Sequence, residues 1–209
     1  LMNYGELLDA IKSYLYDRTD LVEIIPTFVE LAERRIYRHL RVPANETIVH
    51  FTAHEGGSID LPTDFLEAKI LTVGKVPMQR ISDLSHLTKQ DQRGASGPPR
   101  EFSRIGAQLH LYPTPEEAVD VALVYWRDLS GSLVQTTDTN EVLRIAADVY
   151  LHGALMEASA YLGQDSRIPV WQSRYQEELA QLMQQAAEAE YAGSVTAVNN
   201  AYPEYGSTY

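Results

Sequence analysis

The chain has 209 residues, of which 44% are hydrophobic and 22% charged, and its formal net charge is −12. These values are ordinary for a soluble globular protein of one large domain or two small ones. The absence of cysteine excludes disulfides, thiolate catalysis and cysteine-ligated zinc. No apolar run approaches the roughly 20 residues that span a bilayer, so no membrane association is expected.

The negative charge is concentrated at the C-terminal end. Residues 131–209 hold three basic and ten acidic side chains, and no Lys or Arg follows Arg174. Because binding to phosphates requires clustered cations, the sequence predicts no extensive binding surface for nucleic acid. An acidic wall repels DNA, and such a surface would let DNA pass without holding it.

Residues 1–45 are predicted to form two helices. Apolar side chains recur at helical spacing in the first. The second is predicted to begin at a capping-box pattern, with Asp20 at the cap and Glu23 three residues on, and to end before Pro43. The apolar face of the second helix consists of Val22, Ile25, Val29, Ala32, Ile36 and Leu40.

Residues 46–130 are predicted to form a small antiparallel β module inserted between helices. IVHFTAHEGGSIDLP is typical of two short strands around a Gly-Gly turn, and FLEAKILTVGKVPMQRIS of a hairpin that turns near Gly74 and Lys75. SDLSHLTKQD is predicted to be a short helix, and RGASGPPR a loop. EFSRIGAQLHLYP and VDVALVYWRDL complete the strands.

Residues 131–192 return to helix. A second capping-box pattern, Asp138 to Glu141, predicts the start of a long helix that Gly163 ends, and a last helix is predicted to begin near Arg167 to Pro169. Residues 193–209 lack a helical stripe and are predicted to form an extended docking arm. The expected fold class is therefore α+β: mainly an α-helical bundle (residues 1–45 and 131–192), with an inserted small antiparallel β module and an extended C-terminal arm.

The long helix raises a choice between catalysis and packing. Asp148 and His152 are one turn apart, so the aspartate could orient the imidazole as a base, or the two could form a polar stripe. Apolar and small side chains occupy nearly all sides of this helix, which indicates burial on several faces. The chain contains no HExxH motif, Walker loop or GxGxxG motif. We therefore predict no catalytic residue, cofactor or metal site.

Arg34, Arg38 and Arg41 form a basic stripe at helical spacing. One interpretation is a favourable interaction with the helix C-terminus together with an ion pair from Glu30 to Arg34. The other is a docking surface for an acidic partner or a patch that faces DNA. The sequence leaves both open.

Tyr202, Tyr205 and Tyr209 lie within the last eight residues. Tyrosine combines apolar area with a hydroxyl group, which suits partner surfaces. Disordered segments usually contain few aromatic residues. The three tyrosines therefore favour a docking arm over a disordered end.

Four segments together resemble the head-to-tail adaptor (connector) proteins of tailed phages, particularly short-tailed ones. LAERRIYRHLRV resembles the end of the second helix of that family, and LPTDFLEAKILTV its central strand. GPPREFSRIGAQLHLYPTP resembles the next hairpin. DVYLHGALMEASAYLGQDSRIPVWQSRYQEEL resembles a long helix, a short turn and a helix that carries tryptophan.

The resemblance implies a structural virion protein of the neck or tail, made in the host cytoplasm. Such proteins form a ring, typically twelvefold, between the portal and the tail nozzle or tail tube. The ring extends the DNA channel, and DNA passes through without specific binding. It also implies a protein that is not an enzyme, and a long helix that serves packing. The alternatives are a tail-associated enzyme such as a cell-wall hydrolase, and a scaffolding or host-binding tail module.

Overall fold

The structure is a computed structural model in which residues 2–53, 56–82, 96–163 and 166–191 are described. Within these residues there are five α-helices, two before the strands and three after them. The helices are α1 (Tyr4–Tyr14), α2 (Ile25–His39), α3 (Glu141–Ile145), α4 (Ala147–Leu162) and α5 (Ile168–Tyr191). The strands are β1 (Glu46–Ala53), β2 (Ser58–Asp60), β3 (Phe65–Val73), β4 (Val76–Pro77), β5 (Gln79–Arg80), β6 (Glu101–Ile105), β7 (Gln108–Tyr112) and β8 (Val119–Arg127).

The helices from both ends of the chain share one apolar core. Leu7 of α1, Ile36 of α2 and Leu155 of α4 are almost completely buried there, together with Trp171 of α5. The centre of the core depends on Gly153, because a Cβ atom at this position would lie 3.1 Å from the Cβ of Ala32. The small residues of α4 thus allow α2 and α4 to approach closely.

The strands form two four-stranded sheets around a second core. The first sheet has the order β1-β8-β3-β4 and the second the order β2-β7-β6-β5, in which β5 and β6 are parallel. The inward-facing side chains of both sheets meet between them, so the sheets pack face to face. This second core consists of Ala53, Ile59, Leu71, Val73, Met78, Phe102, Leu109, Leu111, Val121, Leu123 and Tyr125.

The predicted fold class is wrong in its proportions. Helix accounts for 44% of the structure and strand for 26%, in two four-stranded sheets, so the fold is not a mainly helical bundle with a small β module. The physical reason is that the strands have a core of their own, which a single small module lying on a bundle would lack. The expected short helix at residues 82–91 falls almost entirely, and the C-terminal arm wholly, outside the described residues.

The two strands predicted around the Gly-Gly turn are present, but they do not pair with each other. β1 pairs with β8, whereas β2 pairs with β7 in the other sheet, so Gly56 and Gly57 connect two sheets. Gly57 has a φ of +64°, and a Cβ atom there would lie 2.8 Å from the Cδ of Pro115. The predicted turn at Gly74 and Lys75 is confirmed, because β3 and β4 pair around it.

Candidate partner-binding surfaces

The three arginines of the predicted stripe differ in their surroundings. Arg34 and Arg38 are exposed on α2. Arg41 lies beyond the end of the helix, where its Nη1 donates to the carbonyl oxygens of Tyr37 (3.2 Å) and Leu40 (2.7 Å). Arg41 therefore places its charge at the negative end of the α2 dipole.

Two of the arginines have a carboxylate partner. Arg34 Nη2 lies 2.6 Å from Glu30 Oε1 with both side chains exposed, and Arg41 Nε lies 3.1 Å from Glu67 Oε2. Within the described part of the chain, Arg38 forms no ion pair. Exposed pairs contribute little to stability, since water and salt screen them. The charges of Arg34 and Arg38 are therefore accessible to an external partner.

A cleft of about 400 Å³ opens beside these two arginines. It lies between α2, the start of β3 and the segment that follows β8. Its lining combines two cations, one carboxylate and a hydroxyl group with aromatic and aliphatic side chains, and arginine and tyrosine are enriched at protein interfaces. The lining residues are Arg34, Tyr37, Arg38, Leu66, Asp128 and Ser130.

One carboxylate of α2 lies in the helical core. Glu33 is only 2% exposed, and one of its oxygens accepts a hydrogen bond of 3.0 Å from the backbone N–H of Gly131. Its other oxygen has no hydrogen-bond partner among the described residues. Burial raises the pKa of Glu33 to about 7, and the nearby charge of Asp128 acts in the same direction, while the Gly131 N–H opposes the rise.

Two buried tyrosines extend this polar region. The hydroxyl oxygens of Tyr37 and Tyr150 lie 2.7 Å apart, and Asn140 Nδ2 donates to the Tyr150 oxygen at 3.0 Å. Burial raises the pKa of both tyrosines, so both remain neutral at physiological pH. The chain of hydrogen bonds connects α2, α4 and the segment before α3. The sequence did not predict this buried polar region. The available signal was Glu33, which lies three residues before Ile36 and so borders the apolar face of α2.

His152 does not pair with Asp148. Its Nδ1 lies 2.8 Å from Glu178 Oε2 on α5, and its ring stacks on Trp171 with centroids 5.6 Å apart. Asp148 is exposed, and its Oδ1 accepts instead from the backbone N–H of Val149 at 3.0 Å. The imidazole thus connects α4 to α5, which is the geometry of a packing contact.

A group of aromatic residues at one end of the helices, exposed except for Trp171, was not predicted. Tyr16 and Tyr161 are 78% and 61% exposed. The guanidinium of Arg167 lies 5.3 Å from the Tyr16 ring centroid and 5.8 Å from that of Trp171, and Tyr14 meets Trp171 edge to face. Tyrosine, tryptophan and arginine are the residues that most often carry binding energy at interfaces. The only sequence signal was the spacing of the tyrosines near the end of α1.

The remaining predicted partner-binding residues, Tyr202, Tyr205 and Tyr209, lie outside the described residues, and their role stays a prediction. Across residues 2–53, 56–82, 96–163 and 166–191, no cluster of three or more His, Asp or Glu side chains has the arrangement of a metal site. In the same ranges, none of the helices combines the length and apolar character required to cross a membrane.

Comparison with known protein families identifies a relationship that covers most of the chain. A family model described as SU10 adaptor protein matches residues 2–198. The match includes both sheets and all five helices described above. A search of curated proteins finds no match to this chain.

Proposed function

The chain belongs to the SU10 adaptor protein family and is therefore a phage structural adaptor, and we propose that it forms a ring between the portal and the tail nozzle or tail tube. The ring, typically twelvefold in the head-to-tail adaptors that the sequence resembles, extends the DNA channel. The family match over residues 2–198 is the observation that carries this proposal.

One structural feature and one feature of the sequence support this role. The helices and the sheets have separate cores, so each part of the subunit has its own outer surface. Such a subunit suits an assembly in which it contacts neighbours on more than one side. The C-terminal third carries ten acidic and three basic residues. A channel wall with this charge repels DNA and allows it to pass without specific binding.

We assign two surfaces to partners. The first comprises Arg34, Arg38 and Arg41 with the adjoining cleft, and we assign it to an acidic surface of the portal or of a neighbouring subunit. The second is the C-terminal arm, residues 193–209, whose Tyr202, Tyr205 and Tyr209 supply apolar contact area. Repetition of a modest contact around a ring raises the overall affinity through effective concentration.

The direct test is electron microscopy of the full chain, alone and mixed with its cognate portal protein, with light scattering of the free chain. We expect a monomer or a mixed population alone and a closed ring bound to the portal in the mixture. A compact monomer that never binds the portal would overturn the proposal.

A further inference from the structure

The outward face of the first sheet carries an apolar row that no described residue covers completely. Ile48 of β1 and Ile70 of β3 both lie opposite Val124 of β8, so the three side chains form one row across the sheet. Ile48 is 57% and Ile70 47% exposed, whereas Leu123 on the other face is fully buried. Large adjacent apolar side chains on a surface indicate a contact site. We call Ile48, Val124 and Ile70 the outer apolar row.

The end of α5 lies on this same face, beside the outer apolar row. Glu190 Oε1 lies 2.9 Å from Lys69 Nζ, which also lies 2.7 Å from Glu46 Oε1. The ammonium group of Lys69 is 5.6 Å from the ring centroid of Trp126. Glu46 pairs with Trp126 two positions before Ile48 pairs with Val124. The last turn of α5 is therefore one residue row away from the outer apolar row.

The ion pair between Lys69 and Glu46 is sheltered, and an indole donor beside it lacks an acceptor. The side chains of Lys69 and Glu46 are only 19% and 22% exposed. The Nε1 of Trp126 is buried and has no hydrogen-bond partner among the described residues. A buried donor without an acceptor is costly, and a shift of the side chains that cover it would let additional chain supply a carbonyl oxygen.

The chain that follows α5 has the composition to cover this face. Residues 192–198 read AGSVTAV, in which Val195 and Val198 are apolar and β-branched, and Glu204 is the first charged residue after Glu190. Successive outward residue rows along a strand are about 6.7 Å apart, so the rows at Ile48 and His50 lie within about 14 Å of the Glu46 row. Seven extended residues span up to about 23 Å.

We propose that residues 192–198 of the same subunit pack across the outer apolar row and provide an acceptor for the Trp126 indole. This contact divides the C-terminal arm: its first residues, 193–198, stay on their own subunit, and its tyrosine-bearing end, residues 202–209, reaches the partner. Only the second assignment rests on the proposed adaptor function. The contact fixes the direction in which the tyrosine-bearing end leaves the subunit. A segment held at its base loses less conformational freedom when its end binds, which favours docking.

The chain lacks cysteine, so a single introduced cysteine reports on one position. In the free full-length protein, a nitroxide at Thr196→Cys should give the spectrum of a restrained label. Adding Ile48→Lys and Ile70→Lys should release the label to fast motion. The matched control is Ile105→Lys, which places the same charge at an exposed isoleucine of the other sheet and should leave the spectrum unchanged. A label that moves fast in the unsubstituted background overturns the proposal.

A cysteine pair identifies which subunit supplies the segment. Ile70→Cys with Val195→Cys should form an intrachain disulfide on mild oxidation, with a yield that does not fall on dilution. Interchain disulfides whose yield falls on dilution would place the segment on a neighbouring copy and overturn the proposal. Both experiments use the free chain without the portal, so their failure leaves the adaptor function standing. Failure of the chain to bind a portal would equally leave this contact standing.

Discussion

Glu33 places an ionisable carboxyl group inside the helical core, and its protonation is coupled to folding. Its pKa is about 7 in the folded chain against an ordinary value of 4.5. Between these two pH values the folded protein binds more protons than the unfolded one. The free energy of unfolding should therefore decrease as pH rises from about 4.5 to about 7, by about 3 kcal/mol if Glu33 acts alone.

The variant Glu33→Gln tests this coupling. The amide remains neutral and still offers an oxygen to the N–H of Gly131, so the variant should be more stable than the natural chain at pH 8 and nearly equal to it at pH 4.5. Urea unfolding at the two pH values measures the difference. Asp9→Asn is the matched control, because Asp9 is exposed on α1 and its charge is not among those that act on Glu33. Equal pH profiles for the natural chain and Glu33→Gln would contradict the prediction.

Local spacing identified residue types but not their partners. His152 and Asp148 are one turn apart, yet the imidazole contacts Glu178, 26 residues further along the chain. By its spacing Arg41 continues the stripe of Arg34 and Arg38, yet α2 ends at His39, before Arg41. Residue spacing defines a helix face only within the bounds of the helix. It contains no information on which other helix packs against that face.

At the scale of elements, Gly153 determines how closely α2 and α4 pack. Gly153→Ala would improve the intrinsic helix propensity by about 1 kcal/mol. However, the new Cβ would lie 3.1 Å from the Cβ of Ala32 and 3.4 Å from Cε2 of Tyr175. Overpacking of a core typically costs about 1–3 kcal/mol, so the variant should be less stable despite its better propensity.

A second substitution distinguishes crowding from other causes. Ala32→Gly removes the atom nearest to the new methyl group, so Gly153→Ala should cost less in the Ala32→Gly background than alone. Thermal unfolding of the natural chain, both single variants and the double variant forms a complete cycle. Additive effects would show that the two positions do not meet.

The ends of helices were predicted correctly where the residue type at the end has the conformation or contact that the prediction assumed. Gly163 ends α4 in the left-handed conformation with a φ of 77°, as its position predicted. The Asp20 capping pattern failed, because Asp20 pairs with Arg18 and α2 begins only at Ile25. The long helix predicted from Asp138 is divided at Ala146, whose φ of −142° is not helical.

The sheets show what strand patterns leave undetermined. The sequence predicted a strand at β1, but its partner β8 lies more than sixty residues away. Short strands joined by a glycine turn resemble a hairpin whether they pair with each other or enter different sheets. The two-sheet core could therefore not be deduced from element prediction, and the β part was underestimated.

At the scale of the whole molecule, the arginine surface should matter for assembly and not for folding. Changing Arg34, Arg38 and Arg41 to Ala should reduce ring assembly on the portal at moderate salt. Exposed ion pairs contribute roughly 0.2–1 kcal/mol each, so the melting temperature should fall only slightly. Arg18→Ala is the matched control, because Arg18 is also exposed and paired with a carboxylate, away from this surface. An unchanged assembly yield would support the interpretation that these arginines only stabilise the end of α2.

The C-terminal tyrosines should determine attachment to the portal. Ordering a segment costs roughly 1–2 kcal/mol per residue in backbone freedom, so residues 201–209 need substantial contact area to bind. Tyr202, Tyr205 and Tyr209 supply most of the apolar area there, and pairing of the extended backbone with a partner sheet would add to it. Changing the three tyrosines to Ala, or removing residues 201–209, should therefore abolish stable attachment while the melting temperature of the free subunit stays nearly constant. Co-sedimentation with the portal measures attachment, and Thr208→Ala is a control in the same segment that retains all three rings. If the chain without residues 201–209 attaches as well as the full chain, docking depends on the helices and sheets alone.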